Sequence, residues 1–430
     1  MTRMKDSGIE WIGEVPEEWG IKPIKHIFGA IGSGTTPDSS KVEYYDGNIN
    51  WLQSGDLYKK DYVYAVSKTI TDLGYRSSAS LRIYQAPFLA IAMYGASIGN
   101  LAISKIDACV NQAVAVLKGE ENIVRFAKLA LEISKTELIF AAQGGTQPNI
   151  NQVLIKNWVI PFPSEIEIKK IADFLDKKVA QLDKVKSLLE EQIKTLEDYR
   201  QSLIYETVTK GLDKTVPLKD SGVDWIGQIP EGWGVGKLKY YFDVQLGKML
   251  QPSAINGNDI EIDYLRAINV QWDNISVDNL SKMWCNPSEV SKYEIMNGDL
   301  LVCEGGEVGR CGIVEYLSDR AIIQNAVHRI RSAERANVRF LNYYIQHTTK
   351  SKWFDILCNK ATIAHLTSEK LLNTLVVLPS ISEQIQIADF LDKKTEQINQ
   401  MIAIKKEQIE NINKQRQTLI YDYVTGKRRV

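Results

Sequence analysis

From Pro163 to Thr209 the chain contains neither glycine nor another proline, and apolar side chains recur every seven residues at Ile168, Leu175, Leu182, Leu189, Leu196 and Leu203. Ile171, Val185 and Tyr199 fill the companion positions. A sustained seven-residue repeat with intervening charges predicts one long helix carrying a coiled-coil seam. A second stripe runs through Ile387, Leu391, Ile398, Met401, Ile412 and Leu419, interrupted by Lys394, Lys405 and Gln408. About 43 helical residues would span roughly 65 Å. Neither helix can bury its stripe alone, so the two are expected to pack on each other antiparallel and to leave a face for partner helices, with Leu175, Leu182, Leu189, Leu196, Leu391, Ile398 and Ile412 as the partner-helix interface. Ser164, three residues before Glu167, and Ser382 in the second copy are the expected N-caps.

Outside these helices the pattern is mixed. Pro87–Met93 and Leu300–Cys303 are short apolar runs, Val110, Gln112, Val114 and Val116 alternate, and 122–140 and 338–357 have helical spacing. Short strands with a helix in each part predict α+β globular units.

The chain repeats itself. KDSGIEWIGEVPEEWG at 5–20 returns as KDSGVDWIGQIPEGWG at 219–234, IADFLDKK at 171–178 returns unchanged at 387–394, and YRQSLIYETVT at 199–209 returns as QRQTLIYDYVT at 415–425. The offsets of 214 and 216 residues make one half a diverged copy of the other. Four segments follow: globular parts at 1–163 and 212–379, each leading into a long helix at 164–211 and 380–430. The WIG…P…W segment follows the central helix, yet its first copy opens the chain. Residues 5–20 therefore belong in space after the C-terminal helix, in a nearly circular, pseudo-twofold arrangement. Trp11, Trp19, Trp225 and Trp233 are then packing residues at equivalent joints.

Composition narrows the function less than the repeat does. The length of 430 residues and a hydrophobic fraction of 44% suit several globular cores. The formal net charge is −1, and the globular parts are individually balanced, with 16 basic and 16 acidic residues in 1–163 and 18 and 19 in 214–379. A strongly basic nucleic-acid binder is thereby excluded, and any positive surface must come from segregated charge or a partner. No run of about 18 apolar residues predicts a membrane span, and no apolar leader opens the sequence, so a cytoplasmic location is expected. Five scattered cysteines do not form a disulfide framework.

Catalytic motifs are missing. There is no phosphate loop and no nucleophile elbow. The four histidines lack metal-ligand spacing, and Cys303, Cys311 and His328 read as buried groups rather than ligands. GEVGRCG at 306–312 has its first glycines three apart and reads as a backbone turn, like GASIG at 95–99. No Asn/Asp-Pro-Pro-aromatic segment of an amino-methyltransferase is present.

In order along the first half stand GSGTTP (32–37), NINWLQSGDL (48–57), GASIG (95–99), VNQAVAVL (110–117) and GGTQPNINQ (144–152), the last leading into VIPFPSEIEIKKIADFL. This ordered set, with the twofold IADFLDKK and RQ[ST]LIY helix ends, resembles the specificity subunits of type I restriction-modification systems over nearly the whole chain. The resemblance implies two target-recognition domains, each reading one half of a split double-stranded DNA site. It also implies two methyltransferase subunits docked along the helices and supplying S-adenosylmethionine chemistry, restriction subunits supplying ATP and Mg chemistry, and no catalytic site in this chain. The second copy departs from the pattern, with KMLQP at 248–252 for GTTP and KATIAHLTS at 360–368 for GTQPNINQ. A coiled-coil scaffold that does not read DNA is the alternative.

Positions alike in both copies, such as Gly99 with Gly309 and Ala113-Val114 with Ala326-Val327, are expected to be framework; polar positions that differ are candidates for base readout. Amides suit adenine edges and guanidinium groups suit guanine. The candidates are Gln53 opposite Arg266, Tyr94-Gly95-Ala96-Ser97 opposite Glu304-Gly305-Gly306-Glu307, and Asn149 opposite His365. Arg310, Gln147, Thr35 and Thr36 join them, with Lys360 for phosphate.

Overall fold

A computed structural model describes residues 3–142, 148–333, 336–358 and 365–430. The chain forms two compact units, Met1–Leu189 with Lys406–Val430, and Glu190–Lys405. The long helices are Glu165–Lys210 and Ile381–Val424. Each contributes one part to each unit. Among the described residues no helix is long and apolar enough to cross a membrane.

In the first unit a five-stranded sheet runs in the order Ala30–Gly32, Val114–Lys118, Phe88–Ala92, Leu101–Ser104, Tyr62–Val63. The run around Phe88 is apolar throughout because both faces are covered. Leu89 and Ile91 face the core shared with helix Glu121–Ile133 and the long helix, whereas Phe88, Ala90 and Ala92 pack with Leu52 and Val110. Leu300–Cys303 of the second unit divides in the same way, with Leu300 and Val302 in one core and Leu301 and Cys303 in another.

The alternating stretch 110–116 is not one half-buried strand. Cys109–Val110 pairs in parallel with Trp51–Leu52 in a three-stranded sheet, and Val114–Lys118 pairs antiparallel with Phe88–Ala92 in the larger one. Residues 111–113 carry the chain from one sheet to the other. The second unit repeats the device: Ala321–Ile323 joins Ile260–Leu265, residues 324–326 cross over, and Val327–Ser332 joins Phe242–Leu246 and Leu300–Cys303.

The helical spacing at 122–140 resolves into Glu121–Ile133 and Lys135–Ala141, broken at buried Ser134, whose hydroxyl donates to Ala130 O and accepts from Trp158 Nε1. The second copy breaks between Val338–Lys350 and Trp353–Leu357, where Lys352 has a φ of 62°.

The unchanged IADFLDKK segment has a structural cause. Ile171, Ala172 and Leu175 are buried, and Asp173 and Asp176 both bind Arg125 of the globular part, with 2.8 Å from Arg125 Nη1 to Asp173 and 2.7 Å from Nη2 to Asp176. Tyr62 also donates to Asp176. In the second unit Ile387, Ala388 and Leu391 are buried, Asp389 and Asp392 bind Arg339, and the Tyr343 hydroxyl donates to Asp392 at 2.8 Å. The motif is thus the seat of each globular part on its helix.

Within the first unit the two long helices run antiparallel, Phe174 meeting Tyr423 at 4.6 Å between ring centres and Asp183 meeting Arg416 at 3.4 Å. Within the second, Lys405 Nζ donates to Gln192 at 2.6 Å, and Glu383 lies beside Gly211. Leu175, Leu391 and Ile398 are buried within the chain, so they are closed to a partner; this corrects their assignment to a partner-facing surface. Leu182, Leu189, Leu196 and Ile412 remain half-exposed. The cap of the second helix is Ser380, which accepts from Glu383 N at 3.3 Å as Ser164 accepts from Glu167 N; Ser382 lies one residue inside the helix.

The N-terminal segment sits at the end of the C-terminal helix. Tyr421 donates to Ile12 O at 3.1 Å, Arg429 pairs with Glu18 and Glu167, and Trp19 Nε1 donates to Glu167 at 3.0 Å. The same joint is built in the second unit, where Trp233 Nε1 donates to Glu383 at 3.0 Å. Gly426 and Gly211, at φ of 74° and 70°, turn the chain out of each helix directly against Trp19 and Trp233. Trp11 stacks on Trp158 and Trp225 on Trp353, so all four repeated tryptophans are packing residues.

Candidate functional site

The strand that changes sheets leaves its crossover at one edge of each unit, and the polar candidates collect around it. In the first unit Asn111 N donates to Leu52 O at 3.1 Å and Met93 N donates to Ala113 O at 2.8 Å, placing Gln112 between the ends of the strands that lead to Gln53 and Tyr94. The loop at 33–37 closes over it. Trp51 Nε1 donates to Thr35 O, Tyr84 donates to Ser33 O, and the Thr36 hydroxyl donates to Gln112 Oε1 at 2.6 Å. Gly34 is required there because any side chain would run into the Val110 carbonyl. Ile150 N donates to Met93 O at 2.8 Å, which brings exposed Asn149 to the same edge. Ser97 and Tyr94 line a cleft of about 450 Å3 with Ser54, Gly55 and Tyr58.

Gln53 is held by its backbone alone. Its N–H donates to Asp56 Oδ2 at 2.9 Å, and the other oxygen of buried Asp56 accepts from Ser67 N. The corresponding Arg266 N–H donates to Asn269 Oδ1 at 2.9 Å. In both units the turn is fixed by a side chain three residues on, so the Gln53 amide and Arg266 guanidinium are left without a partner among the described residues. A side chain whose backbone is pinned can differ between copies without disturbing the fold.

The second unit assembles the same edge from different chemistry. Gln324 N donates to Leu265 O, Lys248 N to Ile323 O, Asn325 N to Lys248 O, and Glu304 N to Ala326 O, at 2.8–3.0 Å. Leu366 N donates to Glu304 O at 2.8 Å, and the Gly305 backbone lies against the His365 ring. Glu304 and His365 are therefore neighbours; burial pushes the Glu304 carboxyl up, against the opposing pull of His365. Glu307 and Arg310 are committed to the framework. Glu307 accepts from Trp272 Nε1 at 2.8 Å and from Arg310, whose Nη2 donates to Ala267 O at 2.8 Å. These bonds make Arg310 a tie between loops rather than a free reading group.

The glycine turns are as expected, with φ of 72° at Gly99 and 80° at Gly309, each against the second, short helix of its unit. The pairing of the loops before them needs correction. Ala92 N bonds Asn100 O and Gly99 N bonds Ala92 O, whereas Cys303 N bonds Arg310 O and Gly309 N bonds Cys303 O. The second loop is one residue shorter, Glu304 stands opposite Met93, and Tyr94 is the added residue. Gln147 and Lys360 lie outside the described residues.

Sequence reasoning passed over Gln112, which read as a strand position, and Asn325. The available signal was the amide pair before each Ala-Val: Asn111-Gln112 in one copy and Gln324-Asn325 in the other. It also passed over Ser54, Tyr58 and Met249. Among the described residues no group of histidine, cysteine and acidic side chains could hold a metal ion, and all five cysteines are free and buried.

Comparison with known proteins identifies the family and the fold. The family model described as type I restriction modification DNA specificity domain matches residues 16–197 and again 230–412. The chain is 28% identical over 430 residues to the type I restriction enzyme MjaVIII specificity subunit of Methanocaldococcus jannaschii, covering 97% of this chain and 94% of that one. It is 22% identical to the EcoKI specificity subunit of Escherichia coli, covering 91% and 86%. A solved structure from work on complex assembly and conformational transition of the type I R-M system superposes with a TM-score of 0.69 at 15% identity, covering 95% of this chain and 98% of that one. The HsdS subunit of Thermoanaerobacter tengcongensis superposes with a TM-score of 0.51 at 15% identity, covering 96% and 98%. These two likenesses establish the fold, and the double family match establishes the kinship: the chain belongs to the type I restriction-modification DNA specificity family and carries two such domains in tandem.

Proposed function

We propose that this protein is the non-catalytic DNA-recognition subunit of a type I restriction-modification complex and that it reads a bipartite site. Residues 1–163 and 212–379 are its target-recognition domains, one for each half-site, and the helices at 164–211 and 380–430 carry two methyltransferase subunits. S-adenosylmethionine binds those partners, and ATP and Mg bind restriction subunits. The observation that carries the reading is the sheet-crossover edge, built twice on one backbone framework with differing polar side chains: half-buried Gln53 against exposed Arg266, and Asn149 against His365, both exposed. A shared framework with variable polar groups is what two readers of different base sequences require. Base edges are read by such groups, whereas phosphate contacts only position. Near-neutral globular parts leave much of the phosphate attraction to the partners.

Methylated bases mapped across the genome, in cells carrying the partner methyltransferase with and without this chain, test the proposal. A split motif present only with the chain supports it. Methylation that is unchanged without the chain contradicts it and favours a scaffold.

A further inference from the structure

The second unit displays apolar side chains where the first displays small and hydroxylic ones. Met249 is 75% exposed and Leu250 49%, on the loop that follows Gly247; Ile268 is 67% exposed, two residues after Arg266. Counting from the equivalent glycines Gly34 and Gly247, Met249 occupies the place of Thr36; counting from Gln53 and Arg266, Ile268 occupies that of Gly55.

This exposure is not that of a loose loop. Lys248 is bonded on both sides, its N to Ile323 O and its O to Asn325 N, and its ammonium pairs with Glu289 at 2.7 Å. Three residues on, Gln251 O accepts from Trp284 N at 2.9 Å, and the Gln251 amide donates to Asp259 at 2.8 Å. Met249 and Leu250 are thus held out between two anchors. Asn325 follows the strand bonded to Lys248, and Arg266 follows the strand paired in parallel with Ala321–Ile323. The side-chain amide of Asn325 has no hydrogen-bond partner among the described residues. In the first unit its counterpart Gln112 is already bonded to Thr36.

A free amide beside a rigidly presented methylthioether matches the major-groove face of one kind of base pair. An A·T pair offers adenine N6 and N7, which an amide engages bidentately, and beside them the thymine C5 methyl, which takes an apolar contact. We propose that the second unit reads an A·T pair, with Asn325 on adenine and Met249, flanked by Leu250, on the thymine methyl. The inference deepens the DNA-reading proposal and rests on it.

The test uses the full chain in complex with its methyltransferase partner and duplexes carrying the motif found by methylation mapping. Each thymine of that motif is replaced in turn by uracil, which lacks only the methyl. One replacement, in one half-site, is expected to weaken binding about fourfold, corresponding to one buried methyl group. Met249→Ala should bind the thymine and uracil duplexes equally while leaving the uracil response of the other half-site unchanged. Met249 is exposed, so folding is not at stake. Motif-specific binding with no uracil effect, or an effect that survives both Met249→Ala and Leu250→Ala, overturns this inference and leaves the DNA-reading proposal standing. Absence of any motif-specific binding overturns both.

Discussion

Trp19→Ala is expected to destabilise the first unit by about 3–5 kcal/mol, the range for removing a large aromatic from a core. Trp19 is 1% exposed at the meeting point of the N-terminal segment, the start of one long helix and the end of the other. Its loss opens a cavity against Gly426 and leaves Glu167 without its indole donor. Arg429 still pairs with Glu167, which keeps that carboxylate from being stranded. Trp233→Ala should act in the same way on the second unit, where Gly211 and Glu383 stand in the corresponding places. Amide hydrogen exchange reads the two effects separately, because each substitution should lower protection in its own unit first. A loss below about 1 kcal/mol, or protection falling equally in both units after either substitution, would contradict the account of the joints.

Arg266→Ala is expected to weaken binding to the cognate duplex by about 1–3 kcal/mol, roughly 5- to 150-fold. The substitution should relax specificity at a single position of one half-site. The turn that carries Arg266 is fixed by the Asn269 cap on its backbone N–H, so the fold should be unaffected. Binding to duplexes varied at each position distinguishes the outcomes. A uniform loss across all sequences would assign Arg266 to phosphate rather than to a base. Gln53→Ala is the corresponding change in the first unit and should relax a position in the other half-site.

The long helices, the repeat and the joint between residues 5–20 and the C-terminal helix were legible because each leaves a one-dimensional trace. Seven-residue spacing survives in any reading of the chain, and an offset of 214–216 residues ties distant segments together. The sheet crossover left a misleading trace. Residues 110–116 alternate as a half-buried strand would, yet the chain changes sheets at 111–113 and the flanking strands are covered on both faces. Alternation reports polarity, and it cannot distinguish a solvent-facing strand position from a turn displayed at an edge. That ambiguity concealed Gln112. The bonding of Arg310 was illegible for a different reason: whether a guanidinium faces solvent or closes a loop depends on a carbonyl, here that of Ala267, 43 residues away. Leu175 and Leu391 were correctly read as apolar helix positions, but periodicity does not say which surface covers them. The chain's own globular parts do.

The central claim is that each unit reads its own half of one DNA site. Exchanging residues 1–163 for the equivalent domain of another specificity subunit, followed by genome-wide mapping of methylated bases, tests it most directly. The account predicts that one half of the split motif changes while the other half stays as it was. A motif that changes in both halves, or in neither, would contradict it.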